Sequence, residues 1–216
     1  MKAIVLGGSK GIGEAIASEF VAWPSCDEIV STSSSDLDTS DISQVKDFVK
    51  EQKETDILVL NTGGPPAKDF YEITESEWLK YYNQLFYSFV YILQNLKIND
   101  NGYIFLISSH QIKEPDENMS LSVSYRLAFS SILKLLTKNY AKREVSCINI
   151  APGPIGTQRL VNLVGDINEF QKELPMRRVG RVRELGLFVK SIVENNIKYL
   201  TGVTINFDGG YNKYVI

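Results

Sequence analysis

The chain has 216 residues, of which 44% are apolar and 23% charged, and its net charge is −3 at pH 7. These values are typical of one globular domain over residues 1–216, and they give no reason to expect binding to nucleic acid or to a membrane. No apolar run has the length of a membrane span or a signal peptide, and Cys26 and Cys147 show no metal-ligand spacing. We therefore expect a cytoplasmic protein with reduced thiols and no metal site.

The predicted elements alternate between short apolar strands and amphipathic helices. Apolar runs predict strands at residues 2–6, 28–32, 56–60, 103–107, 144–150 and 201–207. Helical spacing and capping residues predict one helix that begins near 37–41 and others at 11–22, 74–96, 120–142 and 181–195. Nearly continuous apolar strands separated by helices indicate a parallel sheet covered on both faces. The sequence therefore predicts a doubly wound α/β fold.

Three segments between these elements are predicted to be irregular. Asn101-Gly102 is typical of a turn before the fourth strand, and residues 111–118 form a charged loop. Residues 158–178 are polar and irregular, with interspersed apolar side chains. We expect this last segment to cover a substrate as a lid.

A glycine-rich stretch separates the first strand from the first helix, and its sequence is Gly7-Gly8-Ser9-Lys10-Gly11-Ile12-Gly13. A turn at a helix N-terminus presents backbone N–H groups and the positive end of the helix dipole to a phosphate. Glycine suits this place because a side chain would hold a diphosphate away from the backbone. The stretch favours a dinucleotide site, and a plain turn is the alternative.

Small and polar residues follow the strands at the edge of the sheet where ligands bind in this architecture. The third strand leads into Asn61-Thr62-Gly63-Gly64, the fourth into Ser108-Ser109-His110, and the fifth into 151–157. The second strand runs into the polar stretch 31–36. That stretch is either a solvated loop or the place of a dinucleotide's adenosine ribose.

The chain resembles the short-chain dehydrogenase/reductases over nearly its whole length. The resemblance rests on motifs in the right order at the right strand ends: Gly7-x-x-x-Gly11-x-Gly13, Asn61-Thr62-Gly63-Gly64, Pro152-Gly153-Pro154-Ile155-Gly156-Thr157 and Asp208-Gly209-Gly210. The Asn-Thr-Gly-Gly-Pro-Pro form is similar to a subgroup of reductases related to 3-oxoacyl carrier-protein reductases. The resemblance implies a Rossmann-type fold and a bound nicotinamide dinucleotide.

The resemblance also implies which residues would hold this cofactor. The residues expected at the phosphates of the cofactor are those of the glycine loop: Gly7, Ser9, Lys10, Gly11, Ile12 and Gly13. Asp38 matches the position that holds the adenine, and Asn61 and Gly63 would border the adenosine ribose. At the other end of the cofactor the expected residues are Pro152 and Gly153, with Ile155 and Thr157 at the nicotinamide carboxamide.

The end of the second strand favours NADP(H) over NAD(H). NAD-binding proteins place an acidic residue there to accept a hydrogen bond from the ribose 2′-hydroxyl. Here the stretch is Thr32-Ser33-Ser34, with no acid before Asp36, and Ser33 tolerates a phosphate. Lys10 occupies a loop position that is often basic in NADP-using relatives and would pair with a 2′-phosphate. A solvated surface lysine is the alternative.

The catalytic positions depart from the family pattern of Asn, Ser, Tyr and Lys. Ser109 matches the family serine, and the tyrosine position thirteen residues later is Ser122. The lysine position is Arg126 and the asparagine position is Leu85. Arg126 would hold ribose hydroxyls, because a guanidinium has several fixed donors. Ser122 is a poor replacement for a phenol, because an aliphatic hydroxyl is a much weaker acid.

Tyr125 offers a second alignment with the family tyrosine. Its partner four residues on would then be Phe129, which cannot hold a ribose. Tyr125 lies near the helix face of Ser122 and so remains a candidate catalytic residue, with core packing or a subunit contact as the alternative. His110, the single histidine, would suit a proton carrier, although it is adjacent to Ser109 and so faces the other way.

Two functions follow from this pattern. The first is an NAD(P)(H)-dependent oxidoreductase that acts on a carbonyl or secondary alcohol of a small molecule. The second is a catalytically impaired dinucleotide-binding protein that serves as a sensor or assembly partner. The resemblance also implies a homodimer or homotetramer formed through the helices at about 74–96 and 120–142.

Overall fold

A computed structural model of the chain, which describes residues 1–214, contains a parallel sheet of six strands. The strands are β1 (Lys2–Val5), β2 (Glu28–Ser31), β3 (Glu54–Leu60), β4 (Lys97–Ile107), β5 (Ser146–Pro152) and β6 (Val203–Phe207). The helices are α1 (Gly11–Val21), α2 (Ile42–Gln52), α3 (Glu75–Tyr82), α4 (Ser88–Asn95), α5 (Ser120–Ala141), α6 (Gln158–Val164), α7 (Ile167–Glu173) and α8 (Val182–Glu194). Short 3₁₀ turns lie at Phe70–Glu72, His110–Ile112 and Glu117–Met119.

The order of the strands in the sheet is β2-β1-β3-β4-β5-β6, and all of them are parallel. The chain moves outward from β1 to β2 and then returns to the other side of β1 with β3. Such a reversal opens a crevice beyond the carboxyl ends of β1 and β3. The predicted doubly wound parallel sheet is confirmed, and the crevice lies where the glycine loop and Asn61 leave these two strands.

Alternate residues of the strands pack against helices on opposite faces of the sheet. On one face Ile4, Leu58 and Ile104 form a buried cluster with residues of α2, α4 and α5. On the other face Ala3, Ile57 and Phe105 pack with residues of α1 and α8. The near-continuous apolar strands predicted from the sequence are therefore a consequence of burial on both faces.

The predicted turn at Asn101-Gly102 is wrong, because both residues lie inside β4. Lys97 and Ile98 pair with the start of β3, and the register then shifts between Thr55 and Ile57. Asn101 has a φ of 60°, a left-handed conformation that asparagine tolerates. The turn residues therefore form an irregularity within one strand instead of a break between a helix and a strand.

The predicted irregular segment 158–178 instead contains two helices, α6 and α7. The side chain of Thr157 accepts a hydrogen bond from the backbone N–H of Leu160 and so caps α6. Asp166 caps α7 in the same way, by accepting from the N–H groups of Asn168 and Glu169. The many polar residues of the segment concealed these capping motifs. Its assignment as a substrate lid stays a prediction.

The helix predicted at 74–96 is divided by a π-helical turn at Asn83–Tyr87. Its start is as predicted, because Thr74 and Glu77 form a reciprocal capping box. Within residues 1–214, none of the helices is both long enough and apolar enough to cross a bilayer. The prediction of a single domain over residues 1–216 stays a prediction, and residues 215–216 lie outside the described part.

Candidate functional site

The glycine loop contains backbone conformations and close contacts that favour glycine. Gly7 and Gly11 have φ values of +59° and +61°, in the left-handed region that favours glycine. A Cβ on Gly13 would lie 2.1 Å from the carbonyl oxygen of Gly7, and one on Gly8 would lie 2.2 Å from Oγ of Ser31. The backbone of Gly7 leaves no room for a side chain at Gly13, whereas a side chain at Gly8 would displace the hydroxyl of Ser31. The loop leads directly into the N-terminus of α1. This arrangement fits a diphosphate, as the sequence predicts.

Asn61 fastens this loop to the next strand. Its Nδ2 donates hydrogen bonds to the carbonyl oxygens of Leu6 and Gly7, each at 3.2 Å. The amide was expected to border the adenosine ribose, and the structure gives it this additional positioning role. Gly63 is exposed, and a Cβ there would meet no atom within 4 Å. The backbone at Gly63 is therefore open to a ligand.

Gln84 supports the open backbone at Gly63. Its Nε2 donates to the carbonyl oxygen of Gly63 at 2.7 Å, and Oγ1 of Thr62 lies 3.4 Å from the same nitrogen. Gln84 belongs to the π-helical turn Asn83–Tyr87, and such turns are frequent at functional sites. The sequence analysis missed Gln84, because the neighbouring Leu85, at the expected asparagine position, is buried in the core. The signal in the sequence was the polar Gln84 directly before Leu85, which could have replaced the expected asparagine.

The turn between β5 and α6 closes the other side of the glycine loop. Cγ2 of Thr157 lies 3.3 Å from the position that a Cβ on Gly11 would take. Ile155 is buried and forms a bridge with Gly180. A Cβ on Gly153 would lie 2.6 Å from Cβ of Asp208, so this glycine allows the β5 and β6 ends to meet. Four predicted cofactor residues, from Pro152 to Thr157, thus lie on one turn beside the loop.

The end of β2 also meets the glycine loop. The N–H of Gly8 donates to the carbonyl oxygen of Thr32 at 2.7 Å. Ser9 and Lys10 are exposed beside this contact. The next residue of β2's loop, Ser33, donates from its N–H and its hydroxyl to the carboxylate of Asp36, at 2.8 and 2.7 Å. These hydrogen bonds lower the pKa of Asp36, so a carboxylate stands at the exposed end of this loop at neutral pH.

Asp38 begins the turn that leads into α2. Its Oδ1 accepts from the N–H and the hydroxyl of Ser40, at 2.9 and 2.8 Å. Its N–H donates to Oε1 of Gln44. Hydrogen bonds to nearby residues therefore fix the carboxylate and the backbone of Asp38, the residue expected to hold the adenine.

Arg126 lies in the crevice between the ends of β3 and β4, and 8% of its surface is exposed. Its Nη1 donates to the carbonyl oxygens of Ile107 and Ser108, at 2.8 and 3.4 Å, and its Nη2 donates to that of Thr62 at 3.3 Å. Its Nε donates to Oγ of Ser122 at 3.3 Å. Most of the donors expected to hold ribose hydroxyls therefore satisfy the backbone instead.

Ser122 and Ser109 differ in their surroundings. Ser122 is 3% exposed and lies beneath Arg126. Ser109 is half-buried at the end of β4, where its Oγ accepts from the N–H of Gln111 at 3.2 Å. This bond leaves the hydroxyl proton of Ser109 available to another acceptor. The catalytic roles of both residues stay predictions.

Tyr125 points away from this crevice. Its hydroxyl donates to the carbonyl oxygen of Trp78 at 3.0 Å, and its ring packs edge-on against Trp78 and Tyr82, with centroids 5.8 and 5.9 Å apart. Burial raises the pKa of the phenol. This placement favours the packing alternative that the sequence left open for Tyr125 over a catalytic role.

His110 is directed to β5 and the C-terminal segment. Its Nδ1 lies 3.2 Å from the carbonyl oxygen of Pro152, and its ring contacts that of Tyr211 edge-on. Burial lowers the pKa of His110, so the imidazole is neutral at pH 7 and Nδ1 donates to the carbonyl. Over residues 1–214, no three His, Cys, Asp or Glu side chains are grouped as a metal site.

Arg159 is a further site residue that the sequence analysis placed only within the lid. Its Nη1 and Nη2 donate to the carbonyl oxygens of Gly64 and Pro65, at 3.0 and 2.8 Å. Its position two residues after the capping Thr157 was the signal that could have placed it in the crevice.

The comparisons with known proteins agree with this geometry. A family model described as enoyl-(acyl carrier protein) reductase matches residues 26–212. A 3-oxoacyl-[acyl-carrier-protein] reductase from Buchnera aphidicola is 23% identical, with 96% of each chain covered. A glucose 1-dehydrogenase from Gluconobacter oxydans is 28% identical, with 99% of this chain and 92% of that protein covered.

Solved structures share the fold at low sequence identity. An NADPH-dependent reductase involved in bacilysin biosynthesis superposes with a TM-score of 0.84 at 19% identity, over 99% of each chain. A blue fluorescent protein from a metagenomic library, in complex with NADPH, superposes with a TM-score of 0.85 at 22% identity, over 97% of each chain. Because the family model also spans most of the sequence, the chain belongs to the short-chain dehydrogenase/reductase family, a family of oxidoreductases.

Proposed function

We propose that the protein transfers a hydride between a nicotinamide dinucleotide and the carbonyl or secondary alcohol carbon of a small-molecule substrate. The observation that carries the proposal is the glycine loop beyond β1, which has no room for a side chain at Gly13 and is hydrogen-bonded to Asn61 at the end of β3. The bound nicotinamide supplies or accepts the hydride. The chain's own residues bind the cofactor and the substrate, orient them toward each other and exclude water from the site.

The residues around the crevice divide this task. The glycine loop and the N-terminus of α1 bind the diphosphate, and Asp38, Asn61 and Gly63 border the adenosine half. Residues Pro152 to Thr157 lie where the carboxamide would be held. The hydroxyl of Ser109 donates to the substrate oxygen, since its bond to Gln111 uses an oxygen lone pair and leaves its proton available. Correct orientation of reacting groups contributes about 7–11 kcal/mol to such a reaction.

We further propose that the cofactor is NADP(H) rather than NAD(H). Lys10 is exposed beside the contact between Gly8 and Thr32, within the region expected to receive the 2′-phosphate. The solved structures that share the fold include an NADPH-dependent reductase and a protein in complex with NADPH. Asp36 opposes this preference, because its carboxylate already accepts the hydrogen bonds of Ser33.

A second candidate function is dinucleotide binding without turnover, in a sensor or an assembly partner. The placement of Arg126 and Tyr125 favours this function. The guanidinium of Arg126 donates to backbone carbonyl oxygens, and the hydroxyl of Tyr125 donates to the carbonyl oxygen of Trp78. No phenol then replaces the proton donor of the family. Loss of a positioned acid typically slows such a reaction about 10²–10⁴-fold.

Binding and turnover assays with the full chain separate the two functions. We expect saturable binding of NADPH, followed by fluorescence, and slow oxidation of NADPH with a panel of small ketones. Ser109→Ala would lower that rate at least about 10²-fold without changing NADPH affinity, because the hydroxyl acts only on substrate. Binding without oxidation above background would establish the second function. Absence of binding by both NADPH and NADH would contradict both.

The assembly and location of the protein belong to the same proposal. We propose a homodimer or homotetramer that forms through α3, α4 and α5. Leu127 and Leu135 of α5 and Leu79 of α3 are 47%, 72% and 59% exposed, which is costly for large apolar side chains unless a second copy covers them. A cytoplasmic location is consistent with the free thiols of Cys26 and Cys147.

A further inference from the structure

Two arginine side chains meet at Gly64 in the crevice. A Cβ on Gly64 would lie 2.9 Å from Nη2 of Arg159 and 3.5 Å from Nη2 of Arg126. The two guanidinium groups reach this point from α6 and α5, and both lie near the same Cβ position of Gly64. Two positive charges are thus brought to one place at the inner face of the predicted lid.

No acidic side chain in the described part of the chain forms an ion pair with either arginine. The ion pairs found among residues 1–214 include neither Arg126 nor Arg159. The neighbours of Arg159 include the phenol of Tyr81 and the guanidinium of Arg126, and neither is a carboxylate. Burial and the charge of Arg159 lower the pKa of Arg126 to about 10, so Arg126 remains charged at neutral pH. Burial also lowers the pKa of Arg159, but a guanidinium keeps its proton in proteins. Buried charges without a partner are costly, and proteins keep them where a ligand supplies the counter-charge.

Several donors of the pair remain free for that ligand. A guanidinium has five N–H donors. Arg159 uses one on Nη1 and one on Nη2 for Gly64 and Pro65, which leaves its Nε–H and one N–H on each terminal nitrogen. Arg126 uses one N–H of Nη2 for Thr62 and retains the other. The free donors suit a group with two or three oxygens in one plane or on one face.

We propose that Arg159, assisted by Arg126, binds a carboxylate or phosphate group of the substrate, so that the protein acts on small anionic carbonyl compounds or alcohols. This proposal rests on the proposed function, because the bound anion is a substrate only if the protein is an oxidoreductase. Arg159 contacts the backbone of Gly64 and Pro65 rather than the glycine loop, so its free donors are separate from the diphosphate seat. Neutral analogues of the same substrate would lack the group that fixes their orientation.

Calorimetric titration of the cofactor-free full chain tests this anion site directly. The probes are acetoacetate, its neutral methyl ester, and inorganic phosphate, which distinguishes the two kinds of anion. We expect acetoacetate or phosphate to bind, and Arg159→Gln to weaken that binding about 10- to 100-fold. Arg159→Lys would restore part of it. Arg126 is left unchanged, because it also bonds to the ends of β3 and β4.

Arg177→Gln is the matched control, since it removes the same charge from an exposed residue after α7. Equal losses with Arg177→Gln and Arg159→Gln, equal binding of the ester, or no binding of either anion would overturn the proposal. A repeat of the titration with saturating NADPH shows whether the arginines bind the substrate anion or the cofactor. If NADPH displaces the anion, or if Arg159→Gln weakens NADPH binding as much as anion binding, the arginines bind the cofactor and the proposal fails. Anion binding by a chain that binds neither dinucleotide would support the anion site and contradict the proposed function.

Discussion

The glycines of the phosphate loop were predictable from sequence, whereas the side chains that surround them were not. A glycine's requirement is local: Gly7 and Gly11 follow a strand and adopt positive φ. The partners of Asn61, in contrast, are carbonyl oxygens of Leu6 and Gly7, in the loop that follows β1. Arg126 likewise bonds to carbonyl groups that only the assembled sheet edge brings together. Residue types in a motif predict the site, and tertiary contacts decide the role of each side chain.

The pair Lys10 and Asp36 permits a test of cofactor choice at the level of single side chains. We expect Lys10→Gln to weaken NADPH binding up to about 10-fold and to leave NADH binding unchanged, because only a 2′-phosphate contacts this charge. Asp36→Asn would strengthen NADPH binding several-fold, since it removes a negative charge that competes for the donors of Ser33. Fluorescence titrations with both dinucleotides measure these changes.

Lys50→Gln serves as the control for this pair, because it removes an equal charge from an exposed position on α2. Its affinity for both dinucleotides would match that of the unaltered chain. Parallel losses of NADPH and NADH affinity in Lys10→Gln would contradict a contact with the 2′-phosphate.

Among the elements, those bounded by capping residues were predicted best. The capping box of Thr74 and the N-cap Asp41 act within one turn of sequence, so the starts of α3 and α2 agree with the prediction to within a few residues. The π-helical turn Asn83–Tyr87 and the irregular part of β4 depend on packing against β3 and its loop. Periodicity in sequence carries no signal for either one.

Gly186 determines how closely α8 packs against α1. A Cβ at this position would lie 2.6 Å from the carbonyl oxygen of Ala15. We expect Gly186→Ala to lower the free energy of unfolding by up to about 2 kcal/mol. The clash is with a backbone carbonyl, which puts the overpacking cost near the upper end of about 1–3 kcal/mol, and helix propensity returns about 1 kcal/mol. It would also weaken NADPH binding, since α1 carries the glycine loop. Urea denaturation and fluorescence titration measure the two effects.

Ser191→Ala on the exposed side of α8 is the matched control. It raises helix propensity without approaching α1, and its stability would lie within about 0.5 kcal/mol of the unaltered chain. An equal or higher stability of Gly186→Ala would show that the two helices separate without cost.

At the scale of the whole molecule, the fold class was predictable and the strand order was not. Alternating apolar strands and helices require a parallel sheet covered on both faces. The position of β3 beside β1, in contrast, follows from the direction of each crossover, to which the composition of the strands contributes nothing. The resemblance to a known family supplied that topology before the structure did.

The exposed leucines of α3 and α5 make the assembly testable. We expect the unaltered chain to sediment as a dimer or tetramer, and Leu135→Asp to sediment as a monomer with unchanged circular dichroism, because a buried unpaired carboxylate opposes association. Val21→Asp, at a position of α1 that is 70% exposed, is the control and would leave the assembly intact. A monomeric unaltered chain, or an assembly unaffected by Leu135→Asp, would contradict pairing through this surface.

The fastening of the glycine loop by Asn61 also has a kinetic consequence. Both hydrogen bonds join the loop carbonyls to a side chain of the protein itself, so they can hold the loop in place before a ligand binds. A ligand that meets a preformed seat loses its own translational and rotational freedom but does not have to order the protein. Its affinity is also undiminished by any fraction of incompetent conformers. Observed association rates for NADPH would therefore rise linearly with its concentration, without the plateau that a slow loop rearrangement imposes.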